Sequence, residues 1–239
     1  METTNYSQQP FIPVIQEKEE VRAEFIRRTY THVALAVLGF ILVEALFLQI
    51  PAIVNVGLSM TQGWTWLLVL GGFMFATNYA TRMAYTSTDK NKQYLALGIY
   101  VVAEAFIFLP LIYIGIEMAG GSLALINQAA ILTLALFLGL SMVVFMTKKD
   151  FSPLRNIISV GMWIAIGLIV AGMLFGFNLG LWFSFAMVGL AAGAILYQTS
   201  SILHEHHTEQ YVAASLGLFS ALMLLFWYVL NIVISFSGD

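Results

Sequence analysis

The chain has 239 residues, 60% of them hydrophobic and only 10% charged, with a net charge of −3 and a mean hydropathy of +0.86. A soluble domain carries a charged coat of about 25% of its residues, so this apolar surplus belongs in a lipid bilayer, and the slight acidity is no nucleic-acid footprint. The chain has no cysteine, which excludes disulfides, thiolate metal sites and cysteine nucleophiles.

The first 24 residues contain Pro10, Pro13 and the acidic group Glu17, Glu19 and Glu20. A cleavable signal peptide would instead begin basic and turn apolar. Residues 1–24 are therefore expected to be a flexible cytosolic tail, followed by one membrane domain over residues 25–239.

A spanning helix needs about 20 mostly apolar residues, because lipid offers no partner for backbone N–H and C=O groups. Seven windows qualify, at residues 30–50, 64–80, 94–116, 123–145, 157–177, 179–203 and 211–236. The second is short and extends to Arg82 if that side chain snorkels to the surface. Asn178 allows only a tight hairpin between the fifth and sixth. Pro110 removes one backbone bond from the third and is expected to kink it. Gly172–Gly176 and Gly189–Gly193 are small-xxx-small pairs that permit close packing between helices of the same chain.

All ten basic residues fall on alternate connections. Lys18, Arg22, Arg27 and Arg28 precede the first span, Arg82, Lys90 and Lys92 follow the second, and Lys148, Lys149 and Arg155 follow the fourth. The connections at residues 51–62, 117–122 and around Asn178 carry none. By the positive-inside rule the basic connections are cytosolic, so the N-terminus is inside and, with an odd number of spans, the C-terminus outside.

Glu44 and Glu104 are the acids deep inside predicted spans. A carboxylate there costs a few kcal/mol and usually marks a pathway or relay, although a protonated carboxyl bonded to a neighbouring helix satisfies the same sequence. Gln198, Thr199, Ser200 and Ser201 on the sixth span, and Tyr228, Asn231 and Ser235 on one face of the seventh, suit interhelical hydrogen bonds or a hydrated cavity. His204, Glu205, His206 and His207 connect these spans. They lack the HExxH geometry of a zinc protease, so a solvated loop is expected, with His204, His206 and His207 as a weak metal-binding alternative. Lys148, Lys149 and Asp150 read as a membrane-surface anchor. No catalytic constellation or cofactor motif is present, which argues against an enzyme.

Three stretches then resemble the Bax inhibitor-1/YccA family. They are Phe25-Ile-Arg-Arg-Thr-Tyr30, Thr147-Lys-Lys-Asp-Phe-Ser152 and Gly193-Ala-Ile-Leu-Tyr-Gln-Thr-Ser-Ser-Ile-Leu-His204, the last in the form of bacterial YccA-like members. The resemblance covers roughly residues 22 to 236 and implies an all-α bundle of seven transmembrane helices with the C-terminal one central. It also implies two activities. Some members are pH-sensitive calcium leak channels that use an aspartate in span six and another in span seven, latched to a base on span two. YccA-like members of the bacterial inner membrane instead restrain an FtsH-type AAA+ protease and act in membrane protein quality control and stress tolerance. Here Gln198 and Ala221 stand at the two aspartate positions, and Arg82 is the candidate latch. Without a carboxylate pair neither divalent-ion binding nor proton sharing is available at those positions. A path for Ca2+ or H+ would run by Glu104, Glu44, Gln198 and Asn231. The resemblance thus favours the non-catalytic regulator, with the leak channel as the alternative.

Overall fold

The computed structural model describes residues 12–61 and 63–238. Among these, the chain forms a short 3-10 turn at Val14–Gln16 and eight α-helices. They are α1 (Glu19–Leu48), α2 (Pro51–Met60), α3 (Thr65–Thr86), α4 (Lys90–Met118), α5 (Ala124–Thr147), α6 (Leu154–Phe175), α7 (Gly180–His204) and α8 (Tyr211–Ser237). Six of them (α1, α4, α5, α6, α7 and α8) are long and apolar enough to cross a bilayer, and the bent pair α2–α3 makes a seventh if it counts as one span. Their outward faces are apolar: Leu68 is 77% exposed, Phe175 80% and Trp182 84%. In water such a surface would aggregate. In hydrocarbon it is the solvated face, and this is an integral membrane protein.

Local chemistry explains most boundaries. Glu19 and Glu20 occupy the first turn of α1, where acids favour the helix dipole. The Asp89 side chain caps α4 by accepting from the Asn91 backbone N–H at 2.9 Å. Pro51 opens α2 at a position whose N–H would be unpaired anyway. Helix α6 stops at Gly176, which adopts φ +72° and ends the helix in a left-handed turn. Four residues later α7 begins, so α6 and α7 form the tight hairpin expected around Asn178.

Three expectations are corrected. The connection at residues 51–62 contains helix α2, which Val54 and Gly57 anchor: a Cβ on Gly57 would stand 3.0 Å from the Leu109 side chain. Helix α3 extends past Arg82 to Thr86. The tightest approach of α6 to α7 is at Gly161, where a Cβ would meet Leu190 at 2.6 Å; of the expected pairs, a Cβ on Gly193 would meet Ile158 of α6 at 3.8 Å and one on Gly172 the Phe177 carbonyl at 3.0 Å, while Gly176 and Gly189 would meet nothing. Of the expected tail, residues 1–11 lie outside the described residues. From Val14 onward the segment is held: Val14 is fully buried and donates its backbone N–H to the His206 carbonyl at 3.0 Å.

Helix α8 packs against α1, α3, α4, α5 and α7. Val212 through Phe219 are buried without a break, the pattern of a helix enclosed on every side. At mid-height Phe108 of α4 meets three rings: Phe40 edge-on at 5.2 Å, Phe226 stacked at 5.5 Å and Trp227 edge-on at 5.0 Å. Lipid tails are as apolar as these side chains, so close packing rather than hydrophobic exclusion holds the helices together. Each well-oriented ring pair contributes about 1 kcal/mol.

Candidate functional site at the basic end of the bundle

Tyr197, Ser201 and Glu205 follow one another at intervals of four residues, which stacks them on one face at the end of α7. Two hydroxyls reach Glu205 Oε2, Ser201 Oγ at 2.9 Å and Tyr197 OH at 3.0 Å. A third donor, Ser152 Oγ of the α5–α6 connection, reaches Oε1 at 2.9 Å. Burial opposes ionisation of Glu205, but these three hydrogen bonds, with the nearby Arg155 charge, outweigh it and hold the carboxyl below its ordinary range. The carboxylate pins the connection onto α7.

Ser200 secures the same connection from the next position. Its hydroxyl accepts the Phe151 backbone N–H at 2.8 Å and lies 3.4 Å from the Lys149 carbonyl. Asp150 accepts the Ser152 backbone N–H at 2.8 Å, which keeps its carboxyl below the usual value. Lys149 extends over the Phe151 ring at 5.9 Å. Lys148 caps α5 with φ +51°, the one positive φ outside glycine among the described residues. The three residues read as a surface anchor therefore shape a turn whose side chains and backbone serve separate ends.

His206, expected in a solvated loop, is only 3% exposed. Its Nδ1 lies 2.8 Å from the Ser201 carbonyl and therefore carries the proton; Nε2 is buried without a partner. The ring rests on Tyr85 of α3 at 5.7 Å. Burial pushes the imidazole pKa down, against smaller opposing effects of the Ser201 carbonyl and the Glu205 charge. His204 turns the other way, its Nδ1 2.9 Å from the Ser200 carbonyl, and the Glu209 backbone N–H reaches His207 Nδ1 at 3.3 Å. Among the described residues no three His, Asp or Glu side chains converge on a metal-sized point, so the three histidines are not assembled into a centre.

Farther along α7, Gln198 projects onto Gly217 of α8, where Tyr85 of α3 also closes in. Ala221 lies one turn beyond, buried at 4% exposure. Arg82 is exposed and makes no ion pair among the described residues. In the interior, Glu104 is buried one turn after Tyr100, whose hydroxyl donates to Ser220 Oγ of α8 at 2.7 Å. Glu44 is buried with neither carboxylate oxygen partnered. Asn231 donates back to the Trp227 carbonyl of its own helix at 2.8 Å, and Ser235 back to Asn231 at 2.8 Å. Among the described residues no hydrogen bond joins Glu44, Glu104, Gln198 and Asn231 to one another. Reading the sequence singled out Gln198 but missed Gly217 opposite it, and missed Tyr197 and Ser152 as partners of Glu205. The four-residue spacing of Tyr197, Ser201 and Glu205 was the available signal.

A bundle of apolar helices with its polar groups tied together at the basic end is a polytopic helical membrane protein. A family model described as inhibitor of apoptosis-promoting Bax1 matches residues 22–238. The chain belongs to this Bax inhibitor family. It is similar to Protein lifeguard 4 of Mus musculus, 26% identical over 225 residues that cover 88% of this chain and 84% of that protein. It is also similar to Protein LIFEGUARD 2 of Arabidopsis thaliana, 25% identical over 239 residues covering 95% and 94%. Bax inhibitor 1 of Schizosaccharomyces pombe is 26% identical over 227 residues covering 92% and 80%.

Proposed function

We propose that this protein is a non-catalytic, multi-pass regulator of membrane protein quality control and stress tolerance, of the kind that restrains an FtsH-type AAA+ protease in a bacterial inner membrane. In this reading α2 and α3 together supply one of seven crossings, α8 is the central helix, the basic end is cytosolic and the C-terminus lies outside. The segregation of all ten basic residues supports that orientation. The observation that carries the function is the closure of the basic end. Glu205 accepts three hydroxyls, the Lys148–Ser152 turn is pinned to α7, and Gln198, Gly217 and Ala221 bring no acid to the α7–α8 contact. Such a surface presents shape and charge to another protein and offers no reacting group. Purification from native membranes tests this: the protease co-elutes, and its membrane substrates turn over faster in a deletion strain. Elution alone with unchanged substrate half-lives rejects it.

One observation favours a second reading, a leak path for Ca2+ or H+. Glu44 holds two unpartnered carboxylate oxygens in the interior, and Glu104 is buried on the neighbouring helix α4. An unpaired intramembrane acid is costly and commonly serves an ion or proton. Arg82, exposed at the basic end, is the candidate gate in that reading. Flux into liposomes that disappears in Glu104→Ala and Glu44→Gln, yet survives an outer-loop substitution, would establish it.

A further inference from the structure

We propose that the crevice between the basic ends of α1 and α5 is a binding site for an anionic phospholipid. A cavity of about 170 Å3 opens there, lined by Ile15, Arg22, Ile26, Phe145, Lys148 and Leu203. Its lining is divided between four apolar side chains and two cationic ones. Among the described residues Arg27 and Arg28 pair with Glu24 and Lys90 pairs with Glu209, whereas Arg22 and Lys148 make no ion pair. Arg22 makes a single long contact, Nη1 to the Ile15 carbonyl at 3.5 Å.

Lys148 ends α5 in a left-handed cap at φ +51°, and this cap fixes where its side chain leaves the helix. The left-handed cap turns the chain at the cavity, between α5 and the turn pinned by Ser200. Two cations without an ion pair, beside four apolar side chains, match a phosphate ester that carries acyl chains, and basic pockets of this kind between membrane helices recognise anionic headgroups.

The surroundings decide between a lipid and a free phosphate. Met142 and Met146 lie on α5 within one turn of the lining residue Phe145 and are 61% and 76% exposed, so hydrocarbon reaches this end of the helix. Helices α1 and α5 are bridged there by rings, Tyr30 against Phe145 at 5.7 Å and against Phe137 at 6.0 Å. A phospholipid places its headgroup between Arg22 and Lys148 and lays an acyl chain along Phe145 and Met146, while inorganic phosphate would leave the apolar lining unused.

Full-length protein in phosphatidylcholine nanodiscs doped with phosphatidylglycerol, analysed by native mass spectrometry, tests the site. Wild type retains phosphatidylglycerol over phosphatidylcholine. Each cation near a membrane surface contributes about fivefold to anion affinity, so Arg22→Gln/Lys148→Gln weakens retention by about 25-fold. Lys148→Arg preserves it, as does the distant control Lys92→Gln. Millimolar inorganic phosphate leaves the lipid in place. Equal retention of both lipids by wild type, unchanged retention in the double variant, or displacement by phosphate would each overturn the proposal. Gel filtration and circular dichroism of each variant confirm that the loss is local; a misfolded double variant is replaced by the single variants, each expected to lose about fivefold.

Discussion

Gln198 of α7 fills the space that Gly217 of α8 leaves open: its amide oxygen stands 2.6 Å, and its amide carbon 3.1 Å, from where a Cβ on residue 217 would be. The Tyr85 hydroxyl lies 3.3 Å from the same point, so three helices meet over one missing side chain. The contact is set by shape. With glycine at 217 the α8 backbone comes this close to the long amide without displacing it.

Gly217→Ala is therefore expected to push the flexible Gln198 amide aside and to lower stability by about 1 kcal/mol, the low end of overpacking. Thermal unfolding in detergent measures it. In a Gln198→Ala background the same substitution should cost less, because the atoms it meets are gone. Equal costs in both backgrounds would break the link between the two residues.

Glu205→Ala removes the common acceptor of Ser152, Ser201 and Tyr197. Stranding these donors costs about 1–3 kcal/mol, toward the low end because the carboxyl is only half-buried and water can replace it. The released element is the Lys148–Ser152 turn, so hydrogen exchange at Phe151 and Ser152 should rise first.

The same carboxyl sets an acid limit. Its folded pKa lies below the ordinary value, so its stabilisation is fully present above the unfolded carboxyl pKa of about 4.3 and is lost as pH falls through the folded value. The protection factor at Phe151, its exchange rate relative to the intrinsic rate, should be flat above pH 5 and fall in stronger acid. Glu205→Gln should remove the part of that acid dependence that Asp150 does not supply.

His206 acts in a different window. Its pKa is lowered by burial, so the neutral ring stabilises the fold above the unfolded value of about 6.5, and that contribution declines as pH falls below it. Tyr85, Glu205 and His207 are the titratable groups around it. The observable consequence is release of the N-terminal segment that Val14 docks on His206. The protection factor of the Val14 amide, its exchange rate relative to the intrinsic rate at each pH, should fall between pH 6.5 and 5 in wild type and stay level in His206→Phe.

Glu44 has no partner for either carboxylate oxygen, so Glu44→Met should raise thermal stability by about 2 kcal/mol or more. A gain in stability with unchanged substrate turnover fits the regulator. A gain accompanied by lost cation flux fits the leak path.

Much of the architecture was legible in order along the chain. Segments of about 20 apolar residues have no stable home except as helices in lipid, so α1, α4, α5, α6, α7 and α8 could be placed within a few residues of their observed ends, except the start of α1. The charged end was equally plain, because lysine and arginine are counted without knowing what they touch. Helix α2 was not legible: ten residues are too short to read as a span, and its anchoring depends on Gly57 meeting Leu109. Packing also put the tightest α6–α7 approach at Gly161, and of the Gly189–Gly193 pair only Gly193 meets α6.

The site divides in the same way. Residue types and spacing along one helix are local properties, so the sequence by itself determined that α7 ends in hydroxyls, an acid and histidines. Which of these faces water is a property of neighbours brought from afar. Only the tertiary structure decided that His206 is buried under Val14 and Tyr85, that Ser152 comes to Glu205 from 53 positions away, and that Gln198 rests on Gly217. The physical reason is that lipid rewards apolar length whatever its partners, whereas a buried polar atom must find its particular complement across helices.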